Sequence, residues 1–226
     1  MDNQKTIQDK KIGIVSCYFK HNYGSMLQAY ATQLILDRLN YECETIDITD
    51  FNKEIHKAKA KYFIKASLTS NILIYKFGRA KSMFMKKVQN SEYSRLSKQR
   101  DQLFDAFSRK HFRMSERFPT KAELGKHCED RYSAIIVGSD QLWLPANIAA
   151  DYYTLGFVPD TVNSIAYATS FGQSTLPTDS SKKAKLFLKN IRNISVREES
   201  GQLLVKKLYG RNVPVVCEPT LMCTGE

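Results

Sequence analysis

The sequence has 226 residues, of which 42% are hydrophobic and 25% charged, with a formal net charge of +11. This composition excludes a largely disordered chain, and no apolar run approaches the length that crosses a bilayer. Residues 1–10 lack the apolar core of a signal peptide, so the sequence predicts a cytoplasmic protein. Its five cysteines are scattered and lack C-x-x-C spacing, which favours reduced thiols over a disulfide framework or a zinc site.

The first part of the chain has the pattern of a strand, a polar loop, a helix and a second strand. Residues 11–18 are apolar and rich in β-branched side chains, as in a strand buried on both faces. After the loop, apolar residues recur at helical spacing from Met26 to Leu39, and Ser25 with Gln28 has the spacing of a capping box. Residues 42–48 alternate as a second strand. In open α/β sheets such a loop is where ligands bind, although every βαβ unit needs one.

The excess positive charge belongs to one segment, residues 53–113, which we call the basic segment. It contains 16 Lys and Arg against 4 Asp and Glu. Aliphatic and aromatic residues are interspersed among its lysines without a period of two. This pattern predicts two or three amphipathic helices inserted in the α/β pattern. Two interpretations remain open: a solvated charged face over a satellite core, or a surface that contacts a polyanion or an anionic membrane leaflet. No sequence signature of a nucleic-acid-binding module is present, so no nucleic-acid partner is expected.

The α/β pattern resumes near residue 120. The predicted elements are, in order, a helix opening at a capping box in 120–123, a buried strand at 132–137, a short strand or connector at 152–157, a strand at 164–168, a helix at about 180–192, a strand at 193–196, a helix ending near 209–210 and a last strand at 213–217. Alternating strands and helices predict an α/β fold with a parallel, doubly wound sheet and helices on both faces.

Polar segments follow several of the predicted strands. They comprise residues 22–25, 138–141, 170–172 and 197–200. If the strands are parallel neighbours, these segments line one rim of the sheet, where such folds bind ligands.

Individual residues in these segments leave two interpretations open. Arg197 could grip a carboxylate or phosphate, or pair with a neighbouring carboxylate. Asp140 could act as a general acid or base, or cap a turn. His21 could shuttle protons or be solvated, and Trp143 could stack on a sugar or belong to the core. Phosphate loops of the G-x-x-x-x-G-K and G-x-G-x-x-G types are missing, which disfavours simple nucleotide-triphosphatase and dinucleotide functions.

Four ordered motifs resemble those of the polysaccharide pyruvyl transferase family, enzymes that modify bacterial glycans. The motifs are Asn22-Tyr23-Gly24-Ser25-Met26-Leu27-Gln28-Ala29-Tyr30-Ala31, Gly138-Ser139-Asp140-Gln141-Leu142-Trp143, Tyr167-Ala168-Thr169-Ser170-Phe171-Gly172 and Ser195-Val196-Arg197-Glu198. Members of the family resemble the two-domain GT-B fold, whose Rossmann-like halves face each other across a cleft. The resemblance covers the first half, so residues 10–226 are expected to form the Rossmann-like N-terminal domain, with the basic segment inserted at 53–113 and the C-terminal domain lacking.

The resemblance implies transfer of a pyruvyl group from phosphoenolpyruvate to a sugar diol of a cell-surface or exopolysaccharide, forming a ketal and releasing phosphate. It implies Asp140 and Arg197 as catalytic residues, with Arg197 also binding the donor anion. Further substrate-binding candidates are Asn22, Gly24, Ser25, Ser139 and Ser170. No cofactor or metal is implied. The expected partners are phosphoenolpyruvate and a saccharide acceptor, either lipid-linked or polymeric, with the basic segment contacting an anionic membrane at its inner face. A non-catalytic half-domain that binds anions or glycans, and a GT-B glycosyltransferase that uses a nucleotide sugar, remain the alternatives.

Overall fold

The computed structural model describes residues 10–67 and 91–223, except for the side chain of Ser91. Its helices and strands are β1 (Lys11–Val15), α1 (Tyr23–Arg38), β2 (Cys43–Asp47), α2 (Asn52–Ser67), α3 (Ser91–His111), β3 (Met114–Arg117), α4 (Lys121–Arg131), β4 (Tyr132–Asp140), α5 (Pro145–Ala150), β5 (Asn163–Thr169), α6 (Thr178–Asn190), β6 (Asn193–Val196), α7 (Glu199–Tyr209) and a 3-10 turn (Pro219–Met222).

The six strands form one sheet in the order β3-β2-β1-β4-β5-β6, and every pair is parallel. The strand order reverses between β1 and β4, which is the switch point of a doubly wound fold. Val15 at the end of β1 pairs with Val137 in β4, and Asp140 pairs with Thr169 in β5. This is a Rossmann-like α/β fold, as the sequence predicted, and all six strands end at the same edge of the sheet.

Helices cover both faces of the sheet. On one face, Ile14 and Ile136 pack with Leu36 of α1. On the other, Val137 belongs to a larger core that includes Leu124 of α4 and Leu188 of α6. A Cβ at Gly13 would lie 2.5 Å from the end of the Ile135 side chain, so this side chain packs directly over the glycine and would have to move to admit a larger residue.

The start of α1 differs from the predicted capping box. The N-cap is Asn22, whose side-chain oxygen accepts a hydrogen bond from the Ser25 amide at 3.1 Å. Gln28 instead donates to the Ser25 carbonyl at 2.8 Å. The helix therefore begins before Ser25, because an Asn in extended conformation satisfies one of the free amides of the first turn, that of Ser25. At Thr120 the N-cap half of the predicted capping box is present, since its hydroxyl accepts from the Glu123 amide at 3.1 Å. The Glu123 carboxylate pairs with Lys126 instead.

Three further sequence predictions are corrected or refined. Residues 213–217 do not form a strand; only Val215 bridges to Val196 at the sheet edge. Residues 152–157 are a connector of turns. The edge strand β3 was missed, because Met-Ser-Glu-Arg is short and polar and carries little strand signal.

The basic segment is helical where the structure describes it, in α2 and α3. The remaining predicted helices of this segment fall on 68–90, outside the described residues. No helix in the described part of the chain is both long enough and apolar enough to cross a membrane.

Candidate functional site

The candidate site lies where β1 and β4 end, at the switch point of the sheet. Asp140 is the last residue of β4 and is half-buried, and its positive φ of 104° is rare for a residue with a side chain. Gly138, two positions earlier, has φ 138°, and a Cβ there would collide with the Tyr167 carbonyl oxygen. A glycine at 138 thus lets β4 run tightly against β5 as it enters the site.

Three donors surround the Asp140 carboxylate. Ser25, in the first turn of α1, donates to Oδ2 at 2.8 Å, and the Cys17 thiol donates to the same oxygen at 3.0 Å. The Gln141 amide donates to Oδ1 at 2.7 Å. Together they connect the segment after β1, the start of α1 and the end of β4 through one carboxylate.

These hydrogen bonds set the protonation state of the cluster. Burial raises the pKa of Asp140, but the bonds from Cys17, the Gln141 amide and Ser25, with the charge of Lys20, outweigh it and lower the pKa below 3.8. Burial, assisted by the Asp140 charge, raises the pKa of Cys17 to about 12. Asp140 is therefore an ionised acceptor near neutral pH, and Cys17 remains a neutral thiol donor.

The segment after β5 joins this cluster through its backbone. The Ser170 amide donates to the Asp140 carbonyl at 3.0 Å, and the Ser170 carbonyl accepts from the Trp143 amide at 3.0 Å. The Ser170 hydroxyl accepts from the Gly172 amide at 2.9 Å. Three of the predicted polar segments, at 22–25, 138–141 and 170–172, are thus in direct contact.

Other predicted site residues surround this cluster. Asn22 and Gly24 are exposed at the start of α1, where helix geometry leaves the first amides, those of Tyr23 and Gly24, without intrahelical acceptors. Ser139 is fully buried, and its hydroxyl has no hydrogen-bond partner among the described residues. The same holds for the hydroxyl of Ser16, just after β1.

Arg197 lies on the same edge of the sheet but apart from the cluster. It follows β6, two strands from β4, which corresponds to about 10 Å at the usual strand spacing. Its guanidinium is half-buried and approaches Glu218 at 3.5 Å and Glu198 at 3.8 Å. No hydrogen bond or ion pair between described residues joins Arg197 to Asp140.

His21 and Trp143 both make contacts that hold the fold together. His21 lies between Asp105 and Asp101 of α3, at 2.9 and 3.2 Å, and stacks on Phe104. Trp143 is fully buried, and its indole donates to the Tyr153 carbonyl at 3.0 Å. Trp143 therefore belongs to the core and offers no face to a sugar.

Two lysines near the cluster were not among the site residues predicted from the sequence. Lys20, in the segment between β1 and α1, is exposed. Its positive charge favours the ionised forms of Cys17 and Asp140, although burial outweighs it at Cys17. Lys59, on α2, lies with Nζ 5.9 Å from the centroid of the Tyr153 ring. Lys59 stands among the many lysines of the basic segment, and no local pattern distinguishes it from them. Only the packing of α2 places it here.

An apolar groove of about 350 Å³ borders the start of α1. It lies between α1 and α3 and is lined by Tyr23, Met26, Leu27, Arg100, Leu103, Phe104 and Phe107. Tyr23 also belongs to the first turn of α1, so the groove is next to the exposed residues Asn22 and Gly24.

Comparison with known proteins gives one match. The family model described as polysaccharide pyruvyl transferase matches residues 22–225, which include all four sequence motifs. A search of curated proteins gave no significant match, and a search of solved structures gave none either.

Proposed function

Because the chain belongs to the polysaccharide pyruvyl transferase family, we propose that it takes part in transfer of a pyruvyl group from phosphoenolpyruvate to a sugar of a cell-surface or exopolysaccharide. The family makes it a transferase that acts on a polysaccharide. Beyond the family, we propose the donor phosphoenolpyruvate, the ketal product and the roles of individual residues.

One observation carries the proposed location of the reaction. Ser25 and Asp140 are hydrogen-bonded at 2.8 Å although they belong to different motifs. Their contact lies at the switch point, where doubly wound sheets bind ligands outside the carboxyl ends of the strands. Motifs that meet at this point are those expected to hold substrate.

The chemistry has two demands that this edge of the sheet can meet. Protonation of the methylene carbon of phosphoenolpyruvate gives a cationic carbon, which one sugar hydroxyl attacks. Departure of phosphate and attack by the second hydroxyl then close the ketal. The methylene carbon takes its proton from an acid other than Asp140, and the two attacking hydroxyls each release one. Beyond that acid, such a reaction needs positive groups for the donor's phosphate and carboxylate, and polar groups that orient the diol.

We assign donor binding to Arg197 and the exposed start of α1. The amides of Tyr23 and Gly24 and the helix dipole favour an anion there. The ion pairs of Arg197 with Glu198 and Glu218 are long and partly exposed, and such pairs contribute little stability. A carboxylate or phosphate that binds bidentately can replace them.

Asp140 is proposed to act as an ionised carboxylate. Its lowered pKa and its three donors make it a poor proton donor. It instead holds Ser25 in place at the start of α1, while Asn22 and the hydroxyls of Ser139 and Ser170 orient donor or acceptor.

A peripheral membrane contact through the basic segment is a further part of the proposal. On α2, Ile64 is 64% exposed among exposed lysines, and on α3, Leu103 is 65% exposed. Cations beside exposed aliphatic side chains are suited to an anionic leaflet. A cytoplasmic protein held there would meet a lipid-linked saccharide acceptor.

The proposal is tested by incubating the protein with phosphoenolpyruvate and saccharides that carry a free diol. Release of phosphate, together with a saccharide whose mass has increased by one pyruvyl ketal, supports it. Binding of phosphoenolpyruvate without turnover would make this chain a non-catalytic anion-binding module. Protection against unfolding by a nucleotide sugar, and not by phosphoenolpyruvate, would favour a GT-B glycosyltransferase.

A further inference from the structure

Lys20 and Lys59 come from distant parts of the chain and lie beside the same cluster. Lys20 precedes α1, and Lys59 lies in α2 of the basic segment. The charge of Lys20 acts on Lys59, Cys17 and Asp140, and Lys59 also interacts with Cys17. The hydrogen bonds place Lys20 beside the cluster, since its amide donates to the Cys17 carbonyl at 3.1 Å and its carbonyl accepts from the Asn22 amide at 2.7 Å. Lys59 lies against the ring of Tyr153, whose carbonyl accepts from Trp143, and the Trp143 amide in turn donates to the carbonyl of Ser170 in the cluster. Both lysines therefore lie beside the Asp140 cluster.

Neither ammonium group is neutralised by the described part of the protein. No carboxylate in residues 10–67 or 91–223 forms an ion pair with Lys20 or Lys59. Lys65, six residues further along α2, is paired with Asp179. Asp140 is the carboxylate of the cluster, and its oxygens already accept from Cys17, Ser25 and the Gln141 amide.

We infer that Lys20 and Lys59 bind the phosphate group of a phosphorylated substrate, so that the basic segment supplies a residue to the site. A phosphate monoester carries nearly two negative charges near neutral pH and accepts hydrogen bonds at several oxygens. It can pair with both lysines and still accept from the free amides at the start of α1. That this compound is phosphoenolpyruvate rests on the proposed function.

The surroundings of Lys59 support this assignment. Its ammonium group faces the ring of Tyr153, which is 1% exposed and whose carbonyl is held by the buried indole of Trp143. An aromatic face attracts a cation, and because the ring is neutral it does not cancel the charge. Burial lowers the pKa of Lys59, and the charge of Lys20 lowers it further. The negative charge of an anion between the two lysines would raise the pKa of Lys59 and so offset both effects.

Calorimetry tests the inference with two probes, phosphoenolpyruvate and inorganic phosphate. Lys59→Gln removes the charge and keeps a polar side chain of similar length. We expect it to weaken binding of both probes by about tenfold or more, as for loss of a charged hydrogen-bond donor. Lys57→Gln is the matched control, since Lys57 is exposed on the same helix and is in no described ion pair. It should bind both probes like the wild type.

The inference is overturned if Lys59→Gln binds inorganic phosphate like the wild type, or if the wild type binds neither probe. Should Lys59→Gln fail to fold in a thermal unfolding control, Lys20→Gln provides the test with the same expected loss, because Lys20 is exposed and its removal leaves the core intact.

The transfer assay separates this inference from the proposed function. If pyruvyl transfer occurs and Lys59→Gln leaves the KM for phosphoenolpyruvate unchanged, the lysine assignment fails and the proposed function remains. If both probes bind through the lysines and no saccharide is pyruvylated, the proposed function fails and the phosphate site remains.

Discussion

Ser25 and Asp140 are 115 positions apart in the sequence, and the serine hydroxyl donates to the aspartate carboxylate at 2.8 Å. The bond holds the first turn of α1 against the end of β4, across the switch point of the sheet. Since Cys17 donates to the same oxygen at 3.0 Å, the carboxylate fixes both sides of the segment between β1 and α1.

Asp140→Asn should lower kcat/KM for pyruvyl transfer by about a hundredfold, because an amide cannot accept from Ser25, Cys17 and the Gln141 amide at once, and misplaced binding groups cost about that much. Ser25→Ala removes one donor and should cost about tenfold. Asp130→Asn, at an exposed aspartate of α4, is the control and should retain wild-type kinetics.

The pH profile tests the same carboxylate. Its pKa is lowered, so Asp140 is ionised throughout the range from about pH 5 to pH 8. The profile of kcat/KM should therefore contain no step in that range that disappears in Asp140→Asn. A step there that the substitution abolishes would show that Asp140 titrates as the proton donor.

Glu218→Gln should tighten binding of phosphoenolpyruvate by less than about tenfold, because it frees Arg197 from a partly exposed ion pair of small net strength. Calorimetry measures the change. Glu199→Gln, on the same edge but in no described ion pair with Arg197, should leave affinity unchanged. Equal or weaker binding in Glu218→Gln would mean that Arg197 is a structural residue.

A stability prediction concerns Glu44, near the amino end of β2. Glu44 is buried in β2, where it binds Arg131 at 2.6 Å and accepts from the Tyr132 hydroxyl at 2.7 Å. Glu44→Ala should lower the free energy of unfolding by about 3 kcal/mol, since it leaves the buried Tyr132 hydroxyl without its acceptor and Arg131 with only the exposed Glu116 as a partner. Glu42 is the comparison, since its exposed carboxylate pairs with Lys11. Glu42→Ala should lower the free energy of unfolding by less than about 1 kcal/mol.

The Glu44 contribution should also depend on pH in a defined direction. Burial opposes ionisation, yet the bonds from Arg131 and Tyr132 lower the pKa of Glu44 below 4.5. A carboxylate with a lowered pKa stabilises the fold above its unfolded pKa, and this stabilisation is lost as the pH falls through the folded value. In denaturant titrations, the difference between wild type and Glu44→Ala should be full at about pH 7 and shrink below about pH 4. A difference that grows on acidification would refute this assignment.

Membrane contact is tested by sedimentation with vesicles. The wild type should sediment with vesicles that contain phosphatidylglycerol and remain in solution with neutral phosphatidylcholine vesicles. Replacing Lys57, Lys61 and Lys65 of α2 by Gln should weaken the binding, because each cation near an anionic surface contributes about 1 kcal/mol. Equal sedimentation with both kinds of vesicle, or none with either, would contradict the proposed contact.

The sequence predicted the fold and part of the site, for physical reasons that differ between residues. β1, α1 and β4 have clear periodicity, so local pattern was sufficient to find them. β3 was missed because four residues at a sheet edge bury little. The order of the motifs predicted that they lie along one edge of the sheet. It did not predict which side chains pair there, such as Arg197 with Glu218 or Ser25 with Asp140. Lys59 was missed since its position depends on how α2 packs, and no local pattern records that packing.

The most direct test of the central claim is phosphate release from phosphoenolpyruvate in the presence of a saccharide acceptor, measured for the wild type, Arg197→Ala and the exposed control Arg109→Ala. We expect the wild type and Arg109→Ala to release phosphate and form the pyruvyl ketal, and Arg197→Ala to lose this activity while it unfolds at the wild-type temperature. Wild-type turnover by a folded Arg197→Ala would remove Arg197 from the site and refute the proposed donor binding.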